Sequence, residues 1–372
     1  MKKVVLILIM ICGLTINAQK EELENLGKKI EETLANGNTE FINSIYDVKE
    51  MGDRFLLKKT KSKKIKSFNK SFYSGFSSSF DFGALIKSEI ENDATYQFLK
   101  LIEEDGDHYL LFRLYGQGVN YHKHLLKKDN GNYKIIDTYI YITGEYLSDT
   151  FKSIYMGALL SQGILSNSST NKSIMSDLMK MNEIKVFLNR GEVDKAKKAY
   201  ESISSSSKEK KIFKLTGIRL AGEVSNEAYT KAITDYEKSF PNDISLYLIS
   251  MDKLILNEKY DETIVVLDKL NAALNGDPFL DYMKGNVYLL KKDLEKAETL
   301  FKKVTNIYPD FMDAYDSLLS IYIEKDNLKE AISILDTFVK DFELPKEILF
   351  ETLKQNYPEF SKKEEVINWS NQ

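Results

Sequence analysis

A 34-residue period runs through the second half of this sequence and limits its possible folds more than any other feature. Lys210, Ile244, Pro278 and Met312 stand 34 residues apart, and each opens a segment with the same apolar pattern. One column holds Phe213, Tyr247, Asp281 and Tyr315; the next Gly217, Met251, Gly285 and Leu319; the third Leu220, Leu254, Tyr288 and Tyr322. Successive columns are separated by four and then three positions, which places them on one face of a helix. A second helix follows in each segment. Its columns are Tyr229, Thr263, Ala297, Ala331, then Ile233, Leu267, Phe301, Leu335, then Tyr236, Leu270, Val304, Phe338. Pro241 and Pro309 close two segments, because proline cannot continue a helix. One such pair cannot bury its apolar face alone, so the period demands a stack of pairs sharing a core.

The stretch carrying Gly285, Tyr288, Ala297, Phe301 and Pro309 resembles the consensus of tetratricopeptide repeats (TPRs). Phe187, Gly191, Ala196, Tyr200 and Ile203 look like an earlier copy displaced by one residue. Five repeats are expected over 177–343, then a capping helix and polar tail over 344–372. Asp281 departs from the usual aromatic, and Asn275 and Glu343 depart from the closing proline. The resemblance implies an all-α solenoid whose first helices line a concave, partner-binding groove. The expected contact residues are Lys211, Lys214, Leu248, Phe279, Tyr282, Asn286, Asp313 and Asp316, with Ile218 and Asp252 also on the lining. Basic residues come early, aromatics in the middle and acids late, a pattern suited to peptide recognition. Phe279 and Tyr282 have a second possible use, packing against a neighbouring helix. Only Lys214 and Asn286 fit the carboxylate clamp of such proteins, so capture of a C-terminal carboxylate is not expected.

The first half reads differently. Helices are expected over Glu21–Asn36 and Thr39–Met51, with a third between Asn69 and Ile90. Strands follow at Tyr96–Glu103, His108–Tyr115, Val119–Lys127 and Tyr133–Ile142, separated by Asp105-Gly106, Gly116-Gln117-Gly118 and Asn130-Gly131. Helices and then a four-stranded antiparallel meander make an α+β domain over 20–150, coarsely similar to NTF2-like and cystatin-like folds. Ser148 is placed to cap a helix reaching about Leu165, and the Ser/Asn-rich stretch 166–173 reads as a linker within a connecting segment, 151–176.

A two-residue Asn130-Gly131 turn sets Asp129 against Asn132, and counting back sets His124 against Asp137 and His122 against Tyr139. The same count places Leu99, Leu101, Leu110, Phe112 and Leu114 on that face, and Lys100, Arg113, Lys123 and Thr138 on a wetter one. His122, His124, Asp137 and Tyr139 thus form a possible pocket. An imidazole beside a carboxylate is held in one tautomer and made more basic, as general-base chemistry requires. The plainer reading of the same residues is a satisfied polar pair near the domain edge, and two histidines with an aspartate could also ligate zinc, although spacing alone does not show it. A one-residue bulge would reverse the parity.

Lys2 and Lys3, an apolar run Val4–Leu14 and a small residue at Ala18 read as a signal peptide over 1–18, cleaved before Gln19. Cys12, the one cysteine, lies inside that run, so disulfides, zinc thiolates and cysteine nucleophiles are excluded from the mature chain. Without Lys2 and Lys3 the 52 basic residues fall to 50 against 56 acidic ones, a net charge of −6, which does not suit a nucleic-acid binder. The run Lys58–Lys66 is densely basic. It is either a solvated loop or a surface for acidic lipid headgroups, glycans or an acidic protein. No phosphate-binding glycine loop, nucleophile motif or metal-binding helix motif occurs. The expectation is a non-enzymatic, periplasmic or secreted interaction scaffold for a protein or peptide partner in the cell envelope. It needs no metal or cofactor, binds no nucleic acid and has no transmembrane segment after cleavage. The rival is a small-ligand binder or enzyme with a pocket on the N-terminal sheet and the repeats as a dock.

Overall fold

The computed structural model describes residues 2–116, 118–164, 169–241 and 243–371. Of the signal segment expected over 1–18, the side chains of residues 1–17 lie outside that description, as do residues 165–168 of the expected linker. The chain divides into two compact units, Met1–Ile249 and Ser250–Gln372.

The first unit opens with helices α1 (Lys2–Ala35), α2 (Glu40–Ile45), α3 (Val48–Phe55), α4 (Lys63–Ser79) and α5 (Phe82–Ile90). The helix expected over Thr39–Met51 is two helices. Tyr46 is extended and bridges to Ile135, and the Asp47 carboxylate caps α3 by accepting the Glu50 N–H. The segment 69–90 also holds a break, where the Asp81 carboxylate caps α5 through the Ala84 N–H. The basic run is not wholly a loop. Ser62 caps α4 by accepting from the Ile65 N–H, so the helix takes in the later lysines.

An antiparallel sheet follows: β1 (Thr95–Glu104), β2 (Asp107–Tyr115), β3 (Val119–Asp129), β4 (Asn132–Ile140) and a short fifth strand, β5 (Glu145–Tyr146), in sequential order. Both two-residue turns have positive φ at their central positions, Asp105 and Gly106 at 52° and 87°, Asn130 and Gly131 at 47° and 87°. That conformation matches strand twist and explains the Asp-Gly and Asn-Gly choice. One sheet face, with Tyr96, Leu110, Phe112, Leu126 and Ile135, shares a core with Leu23, Ile30 and Leu34 of α1 and Met51 and Phe55 of α3. Tyr155 and Leu159 from α6 (Leu147–Ser161) complete it.

The remaining helices are α7 (Ser169–Asn189), α8 (Val193–Glu201), α9 (Ser205–Lys208), α10 (Lys211–Gly222), α11 (Asn226–Ser239), α12 (Leu246–Leu256), α13 (Tyr260–Ala273), α14 (Phe279–Leu290), α15 (Leu294–Ile307), α16 (Met312–Glu324) and α17 (Leu328–Lys340). Residues 169–173 of the expected linker are therefore helical. The second helices begin at Asn226, Tyr260, Leu294 and Leu328, at the 34-residue interval. Their inner columns are sealed: Ile233, Leu270, Ala297, Phe301, Val304, Ala331 and Leu335 are fully buried. Gly285 is small for a stated reason, since a Cβ there would lie 2.6 Å from the Phe301 ring of the following helix. Three of the first helices, α12, α14 and α16, end on a left-handed residue: Glu258, Lys292 and Asp326, again 34 apart, have φ of 55°, 59° and 55°. Asn275 and Glu343 are left-handed too, at 57° and 55°. Proline, fixed near −65°, cannot adopt that conformation, so units without the closing proline end by a different turn.

Three short helices, α18 (Lys346–Asn356), α19 (Pro358–Ser361) and α20 (Glu364–Asn371), end the chain. The expected polar tail is instead a packed helix: Val366 and Trp369 are buried in a core shared with α17 and α18, and the Trp369 Nε1–H donates to Asp336 at 3.0 Å.

Candidate functional site

The His122 and His124 side chains meet a chain of hydrogen bonds rather than a cleft. The Asn120 Oδ1 accepts from the backbone N–H groups of Tyr121 (2.8 Å) and Ile142 (3.0 Å), which turns the Asn120 amide nitrogen toward His122 Nε2 at 3.3 Å. An amide nitrogen only donates, so Nε2 of His122 accepts and its Nδ1–H donates to the Tyr96 hydroxyl at 3.2 Å. The Tyr96 hydroxyl proton then goes to His124 Nε2 at 2.8 Å. The Nδ1–H of His124 donates to Thr138 Oγ1, 2.8 Å away, and the Tyr46 hydroxyl lies 2.7 Å from the same oxygen. Both histidines are thereby fixed as neutral Nδ1–H tautomers. Burial depresses His122 to about 4, and burial together with His122 holds His124 well below the usual imidazole value. Burial also raises the Tyr46 and Tyr96 hydroxyls well above 10. Such a set is poor at proton transfer with a solute, because no ring nitrogen reaches solvent and each is already bonded.

Asp137 and Tyr139 do not join them. Two irregularities in the sheet change the parity. Leu126 pairs with Ile135 while Leu125 pairs with Asp137, leaving Ile136 as an extra residue in β4. Thus His124 faces Thr138 and His122 faces Ile140, and the expected His124–Asp137 and His122–Tyr139 pairs do not form. Leu99 is likewise the unpaired residue of β1, between Phe98 and Lys100, so it is not in register with Leu101 and Leu110. Thr138 sits on the histidine face, not with Lys100, Arg113 and Lys123. The supposedly wet face is largely buried, through Tyr109, Leu111, Arg113, Tyr121 and Tyr141.

Asp137 serves the start of α6. Its carboxylate accepts from the Ser148 hydroxyl at 2.5 Å and the Ser148 N–H at 3.2 Å, and Arg54 Nε lies 3.6 Å away. Ser148 is therefore not the cap that was expected but the donor to one. Burial pushes the Asp137 carboxyl upward in spite of these partners. Tyr139 lies in an aromatic row, 5.3 Å from Tyr141 and 5.2 Å from Tyr146, and burial raises it to about 12. Among the described residues no cluster of three or more His, Cys, Asp or Glu could hold a metal ion, and the proposed zinc set is split between two faces.

The candidate residues of the repeats fall into two groups. Leu248 (6% exposed) and Phe279 (1% exposed) are core, and so is Ile218. Lys211 is held inside the first unit: its ammonium donates to the Gly144 carbonyl at 3.1 Å and pairs with Asp243. Gly144 is left-handed, φ 62°, and a Cβ there would collide with the Asp243 carboxylate. The sequence pattern gave no sign of this tie between the turn after β4 and α10. Tyr282 is half-buried, its ring 4.8 Å from Phe311 and 5.7 Å from Phe301. The aromatic centre is thus largely spent on packing.

Lys214, Asn286, Asp313 and Asp316 make up the second group. Lys214 pairs with Glu209 at 3.0 Å and borders a cavity of about 300 Å³ with Tyr200, Lys208, Gly217 and Lys231. Asn286 is half-buried on α14, and Asp252, Asp313 and Asp316 are exposed on α12 and α16. Partial desolvation, and secondarily the Asp313 charge, push the Asp316 carboxyl upward.

Residues 282–311, most of α14, all of α15 and the turn beyond, match the family model for the tetratricopeptide repeat. That segment is a tetratricopeptide repeat, and the second helices on either side of it recur at the same 34-residue interval. Solved structures similar in part to the chain include MamA, residues 41 to the end, from Desulfovibrio magneticus RS-1. It is 21% identical over 45% of this chain and 94% of that one, with a TM-score of 0.38. A tetratricopeptide repeat protein from Parabacteroides merdae ATCC 43184 is 12% identical over 52% of this chain and 77% of its own, TM-score 0.43. PilW, a widely conserved type IV pilus biogenesis factor, is 14% identical over 52% and 97%, TM-score 0.38. No curated protein matches the chain. The buried columns of the array leave Asp252, Asp313 and Asp316 exposed on its first helices.

Proposed function

We propose that the chain is an exported, non-enzymatic scaffold that holds a protein or peptide partner along the first helices of its repeats. The observation that carries this reading is the division of labour on those helices: the periodic apolar columns are buried, while Asp313 and Asp316 of α16 stay exposed with no packing role. A partner presenting basic side chains to that end is favoured, because two adjacent carboxylates, one already pushed upward, gain from a nearby cation. Lys214 and Asn286 are the further polar contacts. The rival reading, a reactive pocket on the sheet, finds little support in histidines that are buried, neutral and bonded at every ring nitrogen. Export is supported by Lys2-Lys3, the short apolar run and Ala18.

The test is affinity capture from a cell-envelope extract, with the wild-type chain beside Asp313→Lys/Asp316→Lys. A partner retained by the wild type and lost by the variant, at unchanged helical content, is the expected result. Equal retention by both chains, or none by either, refutes the assignment. N-terminal sequencing of exported material should give Gln19 as the first residue.

A further inference from the structure

Between Asp53 and Asp81 the sequence holds no carboxylate, yet it carries Arg54 and seven lysines, at 58, 59, 61, 63, 64, 66 and 70. This segment has a net charge of +8 in a chain whose total is −4, leaving −12 for the remainder. All seven lysines are exposed. Lys58 pairs with Asp53 at 2.6 Å; among the described residues the other six have no ion pair. Like charges crowded on one surface repel each other, and folding alone gains nothing from the arrangement. It also runs against the helix dipole, since the first turn of α4 contains Lys63, Lys64 and Lys66 and no acid.

The surface is held firmly from beneath. Ile65 and Phe76 of α4 are buried in the N-terminal core, with Phe68, Phe72 and Tyr73 packed against it. Lys63, Lys66 and Lys70, at i, i+3 and i+7, therefore share the outer side. The loop before α4 is pinned to the helix: the Asn69 amide donates to the Leu57 carbonyl at 3.0 Å, and the Tyr155 hydroxyl donates to Asn69 at 2.5 Å. Loop and helix lysines thus form one array. Along the axis Lys66 is about 4.5 Å from Lys63 and about 6 Å from Lys70, both within the Debye length of about 8 Å at physiological salt, so neighbouring charges act together.

We propose that this array docks the protein on a membrane surface rich in anionic phospholipid headgroups. Three observations favour a lipid surface over a polyanionic chain or an acidic protein. The charges are lysines, mobile hydrated point charges suited to a diffuse headgroup layer, with Arg54 already beside Asp137. The aromatic rings of α4 pack against the core, so they do not provide a platform for stacking bases. The flanking exposed residues Ser67, Ser71, Ser74, Ser77 and Ser78 are small, which lets the lysines approach a headgroup plane closely.

The test is co-sedimentation of the full chain with vesicles of phosphatidylcholine alone and with about one-third phosphatidylglycerol, at low and physiological salt. The chain should favour the anionic vesicles, and salt should weaken that preference. Lys63→Gln/Lys66→Gln/Lys70→Gln should weaken it roughly a hundredfold. Replacing Lys238, Lys340 and Lys362 by Gln, all exposed and far along the sequence, should leave it unchanged. Circular dichroism of both variants should match the wild type, because no replaced side chain is buried. Equal sedimentation with neutral and anionic vesicles refutes the proposal, as does a triple α4 variant that binds like wild type. Binding to heparin or single-stranded DNA without binding to anionic vesicles would overturn it in favour of a polymer partner.

Discussion

Acidification should unfold the N-terminal sheet through His122, and the size of the effect follows from its surroundings. His122 is 2% exposed, and its Nε2 faces the amide nitrogen of Asn120, whose own orientation is locked by the Tyr121 and Ile142 N–H groups. A proton on Nε2 would set donor against donor, and none of its hydrogen-bond partners is a carboxylate. Burial lowers the group from 6.5 to about 4, and a gap of that size corresponds to roughly 3 kcal/mol. Between these values the unfolded chain binds a proton that the folded chain refuses. Stability is therefore complete above pH 6.5 and falls on acidification, by up to about 1.4 kcal/mol per pH unit, until the folded group titrates near 4. Asp137 and Glu145, whose carboxyls are raised by burial, act in the opposite direction, so the wild-type profile alone is not diagnostic. The decisive quantity is the difference between wild type and His122→Gln in urea unfolding followed by circular dichroism. That difference should shift by roughly 3 kcal/mol in favour of the variant from about pH 7.5 to about pH 4. Trp369, the one tryptophan, lies in the second unit, and its emission should not distinguish the two proteins. A difference that is constant with pH would refute the reasoning.

Other substitutions probe other parts of the structure. Ala297 is fully buried, and Ala297→Trp should overpack its repeat and lower stability by about 1–3 kcal/mol, read as a lower thermal midpoint; an unchanged midpoint would mean that the column is misplaced. Lys292→Gly removes a side chain from a left-handed residue and should raise stability by roughly 0.5–1 kcal/mol after the entropy of glycine is counted, seen as a later urea transition by Trp369 emission. Asp137→Ala leaves the Ser148 hydroxyl and N–H without their acceptor and should cost about 1–3 kcal/mol, with faster hydrogen exchange at the start of α6.

The helical array was legible because its evidence is repeated. Each column is stated several times, and a substitution such as Asp281 for an aromatic cannot hide a period. The sheet offers each pairing once. The turn at Asn130-Gly131 placed Asp129 opposite Asn132 correctly, and the register held for three further pairs. It then failed at Ile136, because a bulge is a choice of backbone that leaves no mark in an alternating apolar pattern. The true partners of the histidines were hidden for a related reason: Tyr46 and Tyr96 stand 78 and 28 residues from His124, so only the fold brings them together. Other features were present but unread. Asp47 followed by Glu50, and Asp81 at the head of an apolar stretch, are ordinary helix-start signals that place the two missed breaks.

The same contrast bears on where function is encoded. In a repeat, the positions that define the period are used up in packing, so specificity must reside in residues that the period ignores. Phe279 and Leu248, both among the expected contact residues, are spent on packing as well, at 1% and 6% exposed. Asp313 and Asp316 carry no periodic signal and, like Asp252, are left facing solvent. The lysines of α4 obey the same logic: Ile65, Phe72 and Phe76 fix the helix, and the charges on its outer side can vary without disturbing it. A charge on such a surface contributes little to stability, commonly within about 0.5 kcal/mol. Asp313, Asp316, Lys63, Lys66 and Lys70 can therefore be replaced in a chain that still folds, and any binding lost with them reports on recognition rather than on the loss of the scaffold.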